Sequence, residues 1–164
     1  MTESVPPQLT HVQPDGSAQM VDVSAKPSTA RTARAVSTVQ TTGEVTQLLA
    51  QHGLAKGDAL GTARIAGIMA AKKTPELVPL CHPLPVAKVT VDLELDAPAH
   101  GSVRITSEVK TTGPTGVEME ALTAASVAAL TLYDMIKAVD RSAVIAETKV
   151  LSKSGGASGE WSRA

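Results

Sequence analysis

Two glutamates, an aspartate and a lysine interrupt an apolar, helix-like run over residues 113–139, and side chains of these types tune one another and move protons. Glu118, Glu120, Asp134 and Lys137 stand among Leu122, Ala125, Val127, Ala128, Ala129, Leu130 and Ile136, the residues a buried helix uses. Ionised groups are expensive there unless paired or put to use, so the four mark a candidate site. In a helix of about 3.6 residues per turn, Asp134 lies roughly 40° from Glu120 around the axis, and Lys137 roughly 100° away on the same side. At about 1.5 Å per residue, Glu120 and Asp134 are also roughly 21 Å apart along the axis, too far to touch one reacting atom. Either the ligand is long or a second subunit supplies the missing half.

Cations and one histidine lie elsewhere. Lys56 stands just before Asp58, where a helix can begin, so its ammonium can join free backbone amides in holding an anion; an ordinary loop lysine is the alternative. Arg31 and Arg34 read from their surroundings either as solvated surface residues or as part of such a site. Lys153 opens a glycine-rich stretch, residues 153–160, whose amides can wrap an anion, although a loose terminus fits equally and the GxxxxGK[ST] pattern is missing. Pro79 and Pro83 bracket Leu80, Cys81 and His82, stiffening a loop that can hold His82 toward a ligand or simply pack it. Adjacent Cys and His are not the spatial pair of a thiol protease, and one cysteine with four scattered histidines gives no zinc spacing. Together these residues fit a site that holds a phosphorylated substrate and moves protons within it.

The composition bounds the scaffold. With 164 residues, one domain is expected. A net charge of −1 with 19% charged residues gives no general attraction to nucleic acid or anionic membrane, so anion binding must be local. One cysteine allows no internal disulfide, no signal-peptide pattern is present, and no apolar run reaches the roughly 18 residues of a membrane span; a cytoplasmic location is expected. Phenylalanine is absent, so the core must be built from Ala, Val, Leu, Ile and Met, a modest core that favours subunit association.

The elements that must position the candidates follow from periodicity. Residues 1–30, with Pro6, Pro7, Pro14, Gly16 and Pro27, read as an extended N-terminal arm in which residues 20–24 alternate like an edge strand. Residues 35–39 read as a strand, residues 42–51 as a helix capped by Thr42, and residues 59–73 as a helix capped by Asp58. In the second helix Leu60, Ala63, Gly67, Ala70 and Ala71 make a close-packing stripe. The four prolines of residues 74–85 exclude regular structure. Residues 87–95 and 103–109 alternate as strands joined by residues 96–101 in an antiparallel hairpin, residues 118–139 form the long helix, and residues 142–152 a last strand. This order contains the β-α-β-β-α-β plan of a ferredoxin-like sandwich, an α+β fold with helices on one face of an antiparallel sheet.

The stretches Met20-Val-Asp-Val-Ser24, Lys56-Gly57-Asp58, Thr62-Ala-Arg-Ile-Ala-Gly67, Pro79-Leu-Cys-His-Pro83, Gly113 to Lys137 and Lys153-Ser-Gly-Gly156 resemble the MoaC family, over about residues 9–161. Members are cyclic pyranopterin monophosphate synthases of molybdenum cofactor biosynthesis. The resemblance implies conversion of 3′,8-cyclo-7,8-dihydro-GTP, made by a radical S-adenosylmethionine enzyme, to the cyclic pterin phosphate with loss of pyrophosphate. It implies a ferredoxin-like fold and a hexamer built as three dimers with sites at the dimer interface. By motif position it makes Asp134 the catalytic residue and Lys137 its working partner. Leu80, Cys81, His82, Met119 and Glu120 match substrate-contacting segments, and Arg31, Lys56, Glu118 and Lys153 match positions lining the site. On this reading residues 1–30 are the arm, 31–153 the catalytic domain and 154–164 a Gly-rich tail, with no cofactor and no metal called for. A sensor that binds a phosphorylated metabolite without chemistry is the rival reading, and has no use for the Asp134 and Lys137 pair. An RNA-binding sheet is disfavoured because its strands lack aromatic residues on which bases stack.

Overall fold

The computed structural model describes residues 11–96 and 101–164, so part of the arm and residues 97–100 of the expected hairpin connection lie outside the described residues. The chain runs β1 (Thr29–Gln40), α1 (Gly43–Ala50), α2 (Ala59–Ala71), α3 (Thr74–Leu77), β2 (Val86–Leu95), β3 (Ser102–Gly113), α4 (Glu118–Ile136), β4 (Val144–Ser154) and β5 (Trp161–Ser162). The strands form one sheet in the order β2-β3-β1-β4-β5, every neighbouring pair antiparallel. The fold is therefore α+β, with helices packed against an antiparallel sheet.

Alternation decides which face is covered. On β3, Val103, Ile105, Ser107, Val109 and Thr111 are buried, while Arg104 and Lys110 between them are exposed. Ala33, Ala35 and Val39 of β1 join the same core. Helix α4 lies over these strands with Ala121, Ala124, Ala125, Ala128, Ala129, Leu132 and Ile136 turned inward. By length and average hydropathy alone this 19-residue helix is apolar enough to cross a membrane, but Glu118, Glu120, Thr131 and Asp134 interrupt the run and its inward stripe is that of a core helix.

Small residues let α2 approach α4 closely. A Cβ built on Gly67 would stand 2.7 Å from the Ala124 carbonyl oxygen, 3.1 Å from Ala128 Cβ and 3.2 Å from Val91 Cγ2, so α2, α4 and β2 meet at this glycine. Both ends of α4 are then anchored. Near its start the buried Ser107 hydroxyl donates to the Ala121 carbonyl at 2.7 Å. Just past its end Asp140 accepts from the Thr41 hydroxyl at 2.8 Å and from Ser142, tying the turn to the end of β1.

Local signals behave as their chemistry requires. The Thr42 hydroxyl caps α1 by accepting from Val45 N–H, and the Asp58 carboxylate caps α2 by accepting from Gly61 N–H at 2.8 Å. Two expectations are corrected. Residues 20–24 are not a strand, because the Asp22 side chain accepts from Ser24 N–H and bends the chain. The proline-rich stretch does contain one helical turn, α3, since Pro75 occupies its first turn, where no N–H is required. Strand β1 also begins earlier than expected, placing Arg31 and Arg34 within the sheet.

Gly67→Val would force α2 and α4 apart against a backbone atom. A loss of about 1–3 kcal/mol is expected, the usual range for overpacking, read as a lowered urea midpoint. An unchanged midpoint would show that the two helices are not held at this distance.

Candidate active site

The candidate residues fall into three groups, distributed by α4. At its C-terminal end Asp134 is held between two ammonium groups. Lys137 Nζ lies 2.6 Å from Asp134 Oδ1, and Lys56 Nζ lies 3.0 Å from Oδ2. Lys56 also donates to the Asp134 backbone carbonyl at 2.6 Å, so it meets the negative end of the α4 dipole instead of the start of α2. Hydrogen bonds from Lys137 and then Lys56 hold the Asp134 carboxyl below the usual carboxylate range, and the same contact with Asp134 raises Lys137. All three side chains are substantially exposed, so this is an accessible carboxylate with two proton-bearing partners, not a buried structural pair.

The opposite end of α4 presents two acids in contrasting surroundings. Glu118 turns into a cleft of about 520 Å3, lined also by Lys26, Arg31, Lys153, Gly155, Gly156 and Ser158. Arg31 is fixed there by donating from Nε to the Gly113 carbonyl at 2.9 Å and from Nη2 to the Pro114 carbonyl at 3.0 Å. Lys153 Nζ lies 3.4 Å from Glu118 Oε1 and 2.8 Å from the Ser158 hydroxyl. Gly155 and Gly156 have φ of +93° and +74°, and a Cβ on Gly156 would collide with the Arg31 guanidinium. The backbone therefore closes on the cation only because these residues are glycines. Three cations against one acid favour an anionic ligand in this cleft.

Glu120 instead faces inward, with 1% of its surface exposed. Its Oε1 lies 3.7 Å from the Cys81 thiol, and Oε2 has no partner among the described residues. Burial raises its pKa, and burial followed by the Glu120 charge pushes the Cys81 thiol up to about 11. Next to Cys81, His82 Nε2 lies 2.7 Å from the Val21 carbonyl. A carbonyl only accepts, so Nε2 carries the proton and Nδ1 is the nitrogen left for a ligand. The arm thus orients His82 although it forms no strand there.

Within one chain the structure unites Arg31, Glu118 and Lys153, unites Cys81 with Glu120, and unites Lys56, Asp134 and Lys137. Lys56, grouped from the sequence with the anion-holding cations, belongs to the Asp134 group. Leu80 is half-buried and Met119 is 40% exposed, and neither lines the cleft. The sequence reading passed over Lys26, Thr115 and Ser158, which line the cleft; the lysine beside the Met20–Ser24 motif was the available signal for the first. Among the described residues, no three His, Cys, Asp or Glu side chains cluster closely enough to hold a metal ion.

Fold and site together define an α+β protein able to hold an anionic small molecule and to exchange protons at a lysine-flanked carboxylate. The family model described as "MoaC family" matches residues 20–156. A cyclic pyranopterin monophosphate synthase of Corynebacterium glutamicum is 62% identical over 94% of this chain and 97% of its own. Proteins of the same name from Methylobacterium nodulans and Nocardioides sp. are 61% and 59% identical, over 93% and 96% of this chain and 95% and 97% of theirs. The chain belongs to the MoaC family.

Removing the Glu120 charge should ease ionisation of Cys81. Glu120→Gln is expected to raise the rate of Cys81 alkylation by iodoacetamide several-fold at about pH 8, followed by intact mass, because the thiolate is the reactive form. An unchanged rate would mean that the carboxylate does not reach the thiol.

Proposed function

We propose that the two ends of α4 serve one reaction, carried out in sites shared between chains. The protein is a cyclic pyranopterin monophosphate synthase, a phosphorus–oxygen lyase of molybdenum cofactor biosynthesis. It converts 3′,8-cyclo-7,8-dihydro-GTP to cyclic pyranopterin monophosphate and pyrophosphate. The observation that carries the activity is end-to-end similarity to relatives of that name, at 62% identity over 94% of the chain. Within the site, the supporting observation is the Asp134 carboxylate between Lys56 and Lys137.

The chemistry needs both kinds of group found along α4. Rearranging the pterin requires protons to be taken and returned, work that Asp134 and Lys137 share because each tunes the other. Lys56 completes the pair by holding the second carboxylate oxygen. Closing the cyclic phosphate forms a bond from a hydroxyl oxygen to the innermost phosphorus and breaks the bond to pyrophosphate, so negative charge builds on the leaving group. Arg31 and Lys153 in the cleft, with Glu118 orienting Lys153, stabilise that charge, and His82 assists from the Cys81 loop. Leu80, Cys81, Met119 and Glu120 contact the organic part of the substrate.

The finer architecture fits this reading. Apart from β5, the strand order β2-β3-β1-β4, with α2 between β1 and β2 and α4 between β3 and β4, supports a ferredoxin-like sandwich. Ile65, Met69 and Leu130 stand out from α2 and α4, 60%, 53% and 60% exposed, and support burial against further copies in a hexamer of three dimers. An interface site also reconciles the roughly 21 Å between Glu120 and Asp134 with a single reaction. The substrate reaches this chain from a radical S-adenosylmethionine enzyme.

Asp134→Asn is expected to lower turnover of the cyclised nucleotide at least about 100-fold, measured as pyrophosphate release and pterin formation. Turnover near that of the unaltered protein would remove Asp134 from the chemistry, and phosphate binding without any turnover would favour the sensor reading. Separately inactive Glu120→Gln and Asp134→Asn chains are expected to regain activity when assembled into mixed oligomers. No recovery from oligomers proved mixed by mass would place both residues of a site on one chain.

A further inference from the structure

The glycine-rich segment after β4 is held at both ends. Residues 155–160 form a loop between β4 and β5, and β5 pairs back so that Lys153 faces Trp161 and Ser152 faces Ser162. On its other side Lys153 pairs with Ala33 of β1. The backbone that carries the cleft lysine is therefore held between two strands, whereas without β5 it would lie on a free sheet edge.

Two residues of strand cannot hold themselves in place. Arg163 does so. Its backbone N–H donates to the Leu151 carbonyl at 2.8 Å, and its Nε donates to the Val150 carbonyl at 2.9 Å. Its guanidinium also stands 5.5 Å from the centre of the Trp161 ring, within cation–π distance. One side chain thus grips the backbone of β4 and the aromatic ring of β5 together.

The loop so closed is costly to order. Gly155, Gly156 and Gly159 all have positive φ, a conformation that an untethered glycine leaves freely. Yet this loop supplies Gly155, Gly156 and Ser158 to the cleft, and Ser158 meets Lys153 at 2.8 Å. Fixing both ends of the loop before a ligand arrives removes ordering entropy from the binding step.

We propose that Trp161 and Arg163 form a clasp that pre-organises the glycine-rich loop and Lys153 to receive the pyrophosphate-bearing end of the substrate. They are positioning residues and touch no reacting atom. The inference rests on the reading of the cleft as a phosphate site.

The test uses the full-length protein with Trp161→Ala, Trp161→Phe and Arg163→Ala, and a fourth form lacking residues 161–164. Inorganic pyrophosphate binding is measured by calorimetry, and steady-state kinetics on the cyclised nucleotide are measured beside it. Trp161→Ala and Arg163→Ala are expected to weaken pyrophosphate binding and raise KM about tenfold each, with kcat within about twofold. The truncated form should lose at least as much affinity, and Trp161→Phe should restore most of it because the ring face remains. Unchanged pyrophosphate affinity in Arg163→Ala and in the truncated form overturns the clasp, as does a fall in kcat with KM unmoved. If the unaltered protein binds pyrophosphate but does not turn the nucleotide over, the catalytic reading fails and the clasp is decided by the binding measurements alone. If it binds no pyrophosphate, the phosphate reading of the cleft fails and the clasp with it.

Discussion

The distance at which α4 can lie against α2 and the sheet governs the rest of the molecule. With no phenylalanine and an inward stripe dominated by alanine, the core gains little area from any one side chain. Stability has to come from close approach, and Gly67 permits it by leaving α2 in direct contact with the Ala124 carbonyl and Ala128. A helix seated this tightly is a rigid spacer. Its two ends, tied down through Ser107 and Asp140, hold Glu118, Glu120 and Asp134 at set positions on opposite sides of the fold.

That spacing also separates electrostatic environments. Glu120 is buried beside a cysteine, one of its oxygens without a partner among the described residues, and burial raises its pKa. Asp134, exposed between two lysines, is held ionised. Two carboxyl groups on one helix are thereby pushed in opposite directions by desolvation at one end and charge pairing at the other, the condition under which acids and bases take different roles. The anion cleft beside Glu118 has a third character, cationic and lined by backbone that only glycine can bring so near to Arg31. A reaction needing proton transfer and a polyphosphate leaving group can draw on all three only if the ligand or a neighbouring chain bridges them.

Much of the scaffold was legible because its signals are local. Thr42 and Asp58 cap the helices they precede, and alternation of Val103, Ile105 and Val109 gives a strand with one buried face. The misreadings come from competition between local rules. At residues 20–24 alternation suggested a strand, but the Asp22 carboxylate competes for the backbone and bends it. In residues 74–85 proline suggested disruption throughout, yet at the first turn of a helix a missing N–H costs nothing. The extra edge strand β5 had no periodic signal to read, since two residues are too few for a period.

The site divides in the same way. Sequence alone determined which residues are the candidates for chemistry, because side-chain types and motif spacing are written in the chain; it also set the separation of Glu120 from Asp134, since a helix rises by a constant amount per residue. Only the tertiary structure decided who their partners are. Lys56 could not be assigned to Asp134 across 78 positions, nor Arg31 to the carbonyls of Gly113 and Pro114, because such contacts depend on how the sheet and α2 carry distant segments to the ends of α4. The fold likewise decided that Glu120 is buried and Asp134 exposed, as desolvation is a property of the surroundings, not of the residue.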